Sequence, residues 1–106
     1  MFVKIYQYYV QPDKVEEFLS LQEKVSEIYS KSLNFHTMYI NSKEDETKWI
    51  EITRYKDEIE YVKSMTFINE KKEIQELFAR FQSMLLTDKN GISEEDFIEK
   101  KDICNL

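Results

Sequence analysis

The chain has 106 residues, 42% of them apolar and 34% charged, with a formal net charge of -6. That is room for one small domain with a thin core, since a chain of this size buries only about 60–70% of its unfolded surface. An aromatic content of 14% with one glycine and one proline excludes a disordered chain, and a single cysteine, Cys104, excludes an internal disulfide framework. The acidic balance argues against nucleic acid, whose phosphates need a basic face, and the only glycine, Gly91, leaves no anion-cradling loop. No run approaches the roughly 18 apolar residues of a membrane span and no leader-like segment opens the sequence, so a cytoplasmic location away from membranes is expected.

Residues 2–10, Phe-Val-Lys-Ile-Tyr-Gln-Tyr-Tyr-Val, are β-branched and aromatic, which favours a pleated strand. Both parities are apolar, so both faces of this strand are expected to be covered. Gln11-Pro12-Asp13 breaks it, because Pro12 fixes its own φ and holds Gln11 extended. Asp13 is then placed to cap a helix over 13–31, in which Val15, Phe18, Leu19, Gln22, Val25, Ile28 and Tyr29 recur at spacings of three and four. A second strand runs from Phe35 to Asn41, a polar hairpin loop over 42–47, and a third strand from Lys48 to Tyr55. In the third, Ile50 and Ile52 share one face and Trp49, Glu51, Thr53 and Tyr55 the other. A helical region over 58–86, broken near Thr66, carries its apolar residues at helical spacing from Ile74 onward. Asp88-Lys89-Asn90-Gly91 is a turn. In the tail from Ile92 to Cys104 the Phe97-Ile98 centre favours a short fourth strand and the Glu and Lys content a helix; the strand is taken as the fourth element.

The order β-α-β-β-α-β is the ferredoxin-like split βαβ pattern, an α+β fold with an antiparallel sheet and its helices on one face. The other face of such a sheet is bare in a monomer. If Tyr6, Tyr8, Trp49 and Tyr55 lie there, that face is too apolar to stay wet, and a second copy packed sheet to sheet covers it. A homodimer is therefore expected.

Three segments resemble the dimeric α/β-barrel superfamily, in particular its antibiotic-biosynthesis-monooxygenase-like branch. They are the strand-to-helix junction from Tyr8 through Pro12 to Phe18, the start of strand two at Asn34-Phe35-His36-Thr37-Met38-Tyr39, and the end of strand three at Thr53-Arg54-Tyr55-Lys56-Asp57. Asn34 stands where the family has glycine, Thr53 where it often has an acid, and Tyr55 where it often has tryptophan. The haem-degrading members use an Asn on strand one and a Trp and an axial His on the second helix. Here the strand-one position falls on Tyr6, and residues 58–86 contain neither Trp nor His, so haem and other cofactors are not expected. The resemblance instead implies a cofactor-independent oxygenase of an aromatic or quinol-like compound, chemistry that needs an apolar cavity, a few hydrogen-bond donors and one base. A ligand-binding or protein-interaction module on the same dimeric fold is the alternative.

The residues proposed to face a pocket or the dimer core are Tyr6, Tyr8, Trp49, Glu51, Thr53 and Tyr55, aromatic walls with a few polar handles. The proton handler is His36, the only histidine, or Glu51, a carboxylate on a covered face that must be protonated or paired, with Lys4 or Arg54 the alternative as a structural partner. No metal site is expected: with Gly91 in the sixth position of a calcium loop, Leu86 would fall in the first, where a carboxylate is needed. Cys104, in a polar context, has no assigned role.

Overall fold

A computed structural model describes residues 1–106. The elements are β1 (Phe2–Tyr9), a 3-10 turn (Pro12–Lys14), α1 (Val15–Tyr29), β2 (Phe35–Asn41), β3 (Lys48–Tyr55), α2 (Glu58–Ile68), α3 (Lys72–Ser83) and β4 (Ser93–Ile98). The four strands form one sheet in the order β2-β3-β1-β4, with every neighbouring pair antiparallel. This is the ferredoxin-like arrangement that the order of elements predicts.

Local chemistry explains most element ends. Pro12 opens the 3-10 turn, where its missing N–H costs nothing. Asp13 makes no capping bond to α1; Glu16 and Glu17 in the first turn favour the helix dipole instead. Asp57 caps α2, its carboxylate accepting the Glu60 N–H at 2.7 Å. The helical region breaks after Ile68, two residues beyond Thr66, where a break is expected. Ile68 is fully buried, and the chain turns over Asn69–Lys71 so that Ile74, Leu77 and Phe81 of α3 reach the core. Gly91 has φ +74°, the only positive φ in the chain, which is why the turn into β4 carries the one glycine.

The core lies between the sheet and the helices. Tyr8 from β1, Trp49 from β3 and Phe81 from α3 gather around Phe18 of α1, with ring centroids 5.1–6.0 Å from it. Phe2 and Tyr55 meet Tyr61 of α2 at 5.5 and 4.5 Å. The expected assignment of faces is therefore reversed: Tyr6, Tyr8, Trp49 and Tyr55 lie under the helices within one chain. The open face carries Val3, Ile5 and Tyr9 of β1, His36, Met38 and Ile40 of β2, Ile50, Ile52 and Arg54 of β3, and Phe97 of β4. Alternation is mute on this point, because both parities of β1 and β3 are apolar and only packing decides which one the helices take.

β4 is held differently from the other strands. All six of its residues are exposed, and it pairs only with β1. The Lys4 ammonium clamps it, 2.9 Å from Glu94 and 2.6 Å from Asp96. Just beyond the strand, Arg54 pairs with Glu99 at 2.8 Å.

Candidate functional site

Between the sheet and the three helices lies a cavity of about 620 Å³. Its floor is the covered face of the sheet: Tyr6 and Tyr8 from β1, Phe35, Thr37 and Tyr39 from β2, and Glu51, Thr53 and Tyr55 from β3. Gln22, Val25 and Tyr29 of α1 form one wall, Tyr61 and Met65 of α2 another, and Leu77, Phe78 and Phe81 of α3 the third. Ile92 and Glu94 reach it from the β4 side. Six of the seven tyrosines in the chain line this one space.

Strand register places the polar groups in rows. Glu94, Tyr6, Glu51 and Tyr39 stand side by side across four strands, and the next row is Asp96, Lys4, Thr53 and Thr37. The Tyr8 hydroxyl donates to the Glu51 carboxylate at 2.8 Å, and Tyr39 donates to the Gln22 side-chain oxygen at 3.0 Å. The Thr37 and Thr53 hydroxyls are 2.9 Å apart.

Electrostatics single out Glu51. Burial raises its pKa above the usual carboxylate range, and the Tyr8 hydrogen bond opposes that rise only in part. It lies in no ion pair. Lys4 is the opposite case. Burial works to lower its pKa, but the Asp96 and Glu94 carboxylates outweigh it and raise the ammonium above its ordinary value. Its charge also lies 5.2 Å from the Tyr61 ring centroid and 5.9 Å from that of Tyr6. Burial pushes the Tyr29 phenol up to about 12 and raises those of Tyr6, Tyr8, Tyr39, Tyr55 and Tyr61 as well. At neutral pH these hydroxyls are neutral groups that can donate or accept.

Tyr6, Tyr8, Glu51, Thr53 and Tyr55 thus come together in one cavity. Trp49 does not line it: the indole packs 5.1 Å from Phe18, and its N–H is buried without a partner. His36 is exposed on the opposite, open face. Neither Lys4 nor Arg54 pairs with Glu51: Lys4 serves Glu94 and Asp96, and Arg54 serves Glu99. Sequence reasoning missed Gln22, Tyr29, Tyr39 and Tyr61. Gln22 had a signal, since a polar residue in the buried stripe of an amphipathic helix needs a partner beneath it. Tyr61 had none, because α2 is apolar on several sides and its inward face is not marked.

The donor set suits general acid–base work and hydrogen bonding within an aromatic enclosure. No group of three or more histidine, cysteine or acidic side chains converges as a metal cage would require. Among solved structures, the chain is similar to SnoaB, a cofactor-independent oxygenase from Streptomyces nogalater, with a TM-score of 0.73 at 8% identity over 98% of this chain and 97% of that one. It is similar to an antibiotic biosynthesis monooxygenase with a TM-score of 0.68 at 13% identity over 95% and 100%. A NIPSNAP domain protein from Burkholderia xenovorans gives 0.71 at 15% identity over 99% and 100%. No protein-family model and no curated protein matches the chain by sequence. The resemblance read from the strand and helix junctions is thus one of backbone architecture: the chain has the ferredoxin-like fold of antibiotic-biosynthesis-monooxygenase-like and NIPSNAP proteins.

Proposed function

We propose that the chain is a homodimeric, cofactor-independent oxygenase whose cavity holds one aromatic or quinol-like compound per subunit. The observation that carries this reading is the Glu51 carboxylate, unpaired, bonded by Tyr8 and standing on the floor of a tyrosine-lined cavity of about 620 Å³. A carboxylate with a raised pKa is a stronger base than one in water, and it abstracts a proton best where water is excluded. Loss of a proton from an activated CH₂ group leaves a carbanion spread over the ring system. Its electron pair forms a C–O bond to dioxygen, the resulting peroxide takes the proton back from Glu51, and loss of water leaves a carbonyl. One CH₂ and one O₂ become one C=O and one H₂O. The cavity tyrosines supply hydroxyl donors to the enolate oxygen as charge develops there. Pairing through the open sheet face covers Met38, Ile40 and Phe97, which are 45%, 43% and 41% exposed in the single chain.

The test is oxygen uptake with a panel of hydroquinones and activated ring ketones, comparing Glu51→Gln with His36→Ala. Glu51→Gln should lower turnover by about 10²–10⁴, the usual weight of a general base, and His36→Ala should leave it within about twofold. Full turnover in Glu51→Gln would sink the assignment. A ligand-binding module without catalysis is the second reading, favoured by the absence of any other unpaired acid or base in the cavity. It predicts saturable ligand binding with no oxygen uptake across the panel.

A further inference from the structure

The charge of the cavity is one-sided. Its lining includes two carboxylates, Glu51 and Glu94, and no lysine, arginine or histidine. At the β4 end of the floor a single ammonium, Lys4, already serves both Glu94 and Asp96. Three carboxylates therefore share that region with one cation, and Glu51, bonded only by the Tyr8 hydroxyl, is the one left without a cation. A carboxylate held away from water without a cation is costly, and it is relieved either by a proton or by a positive ligand.

The walls favour the second solution. Aromatic faces attract cations, and Tyr6 and Tyr61 already do so for Lys4. Tyr29 and Tyr55 also line the space, and neither hydroxyl makes a side-chain hydrogen bond within the chain, which leaves both oxygens free to accept from an N–H donor. An ammonium alone is far smaller than about 620 Å³, so the remaining apolar wall requires a ring body attached to it. A carboxylated ligand of the same shape meets Glu51 as a like charge, and the one ammonium near the floor, Lys4, is already shared by Glu94 and Asp96.

We infer that the cavity selects an aromatic compound bearing one protonated amine, seated against Glu51, and rejects carboxylated analogues. The inference rests on the reading that this cavity is the ligand site and adds the charge of the ligand. An ammonium seated on Glu51 holds that carboxylate ionised and weakens it as a base, so the two readings hold together only for a ligand that sets its ammonium on one carboxylate oxygen and its acidic CH₂ against the other.

The experiment is calorimetric titration of the intact chain at neutral pH with three naphthalenes that differ only in one substituent: aminomethyl, hydroxymethyl or carboxylate. The aminomethyl compound should bind at least about tenfold more tightly than the hydroxymethyl one, with the carboxylate weakest. In Glu51→Gln the ratio of aminomethyl to hydroxymethyl affinity should fall below about threefold. If the wild-type chain binds the alcohol as tightly as the amine, the inference fails and the ligand-site reading stands. If none of the three binds, both fall. If the amine is preferred and no oxygen uptake is found with any amine-bearing ring, the inference stands and the oxygenase reading fails.

Discussion

The two faces of the sheet are equally apolar in sequence and unlike in structure. The covered face mixes aromatics with Lys4, Glu51 and Thr53, and its polar groups find partners in Asp96, Tyr8 and Thr37. The open face carries Val3, Ile5, Met38, Ile40, Ile50 and Ile52 with no comparable polar network at its centre. A surface built to enclose a ligand needs handles that fix orientation, and a surface built to pack against another protein needs area and shape. Hydrophobicity alone does not tell these apart; the interleaved polar side chains do.

Removing the centre of the covered face should have the largest effect. Phe18 is fully buried and its ring meets Tyr8, Trp49 and Phe81. Phe18→Ala should cost about 3–5 kcal/mol, read as a lower urea midpoint, a large share of the roughly 5–15 kcal/mol that holds a domain together. A loss below about 1 kcal/mol would mean that the helices do not pack on this face as described.

Disrupting the open face should change assembly more than folding. Ile52→Asp places a charge amid Ile5, Met38 and Ile50. Sedimentation should show the proposed dimer converting to monomer at micromolar concentration, a shift in dissociation constant of at least about a hundredfold for a desolvated unpaired charge. Naphthalene binding in the cavity should change by less than about threefold. A variant that still sediments as a dimer would move the interface to another surface.

How much of this was legible follows from the same contrast. The first elements and the hairpin could be read, because turn chemistry and periodicity are local properties; the tail could not be settled between strand and helix, since all six residues of β4 are exposed and carry no clear period. Which face of β1 and β3 meets the helices could not, since alternation fixes only that Tyr6, Tyr8, Glu51 and Tyr55 share a side. Membership of that set was therefore readable while its location was not. His36 was placed by the same parity with Met38 and Ile40, and all three lie on the open side. Trp49 has the right parity for the cavity, but Phe18 packs on its indole, while its cross-strand partner Tyr8 reaches the cavity through the hydroxyl bonded to Glu51.

β4 sharpens the comparison at its edge, where exposed residues are fastened from the covered side by one buried lysine. Lys4→Met keeps the apolar stem and removes the charge that Glu94 and Asp96 share. Those carboxylates are about half exposed and regain water, so the cost should be about 1–2 kcal/mol, less than the usual loss on breaking a fully buried pair. Hydrogen exchange should quicken in Glu94–Ile98 and remain unchanged in β2. Uniform quickening across the sheet would show that Lys4 supports the core and not the edge.

The smallest effect is the most diagnostic of the cavity. Burial raises the Glu51 pKa in the folded chain above its unfolded value. A carboxyl shifted in that direction contributes stability below its unfolded pKa, and the contribution is lost as pH rises through the folded one. Gln has the shape of the protonated acid and no charge, and its side-chain oxygen still accepts the Tyr8 hydrogen bond. Glu51→Gln should therefore match the wild type in stability below about pH 4, where the unfolded carboxyl is itself protonated, and exceed it at pH 7. Paired urea melts across that range decide the sign. A variant less stable than the wild type at pH 7 would mean that the charged carboxylate finds more compensation in the folded chain than Tyr8 alone provides, and the argument for a cationic ligand beside it would lose its electrostatic basis.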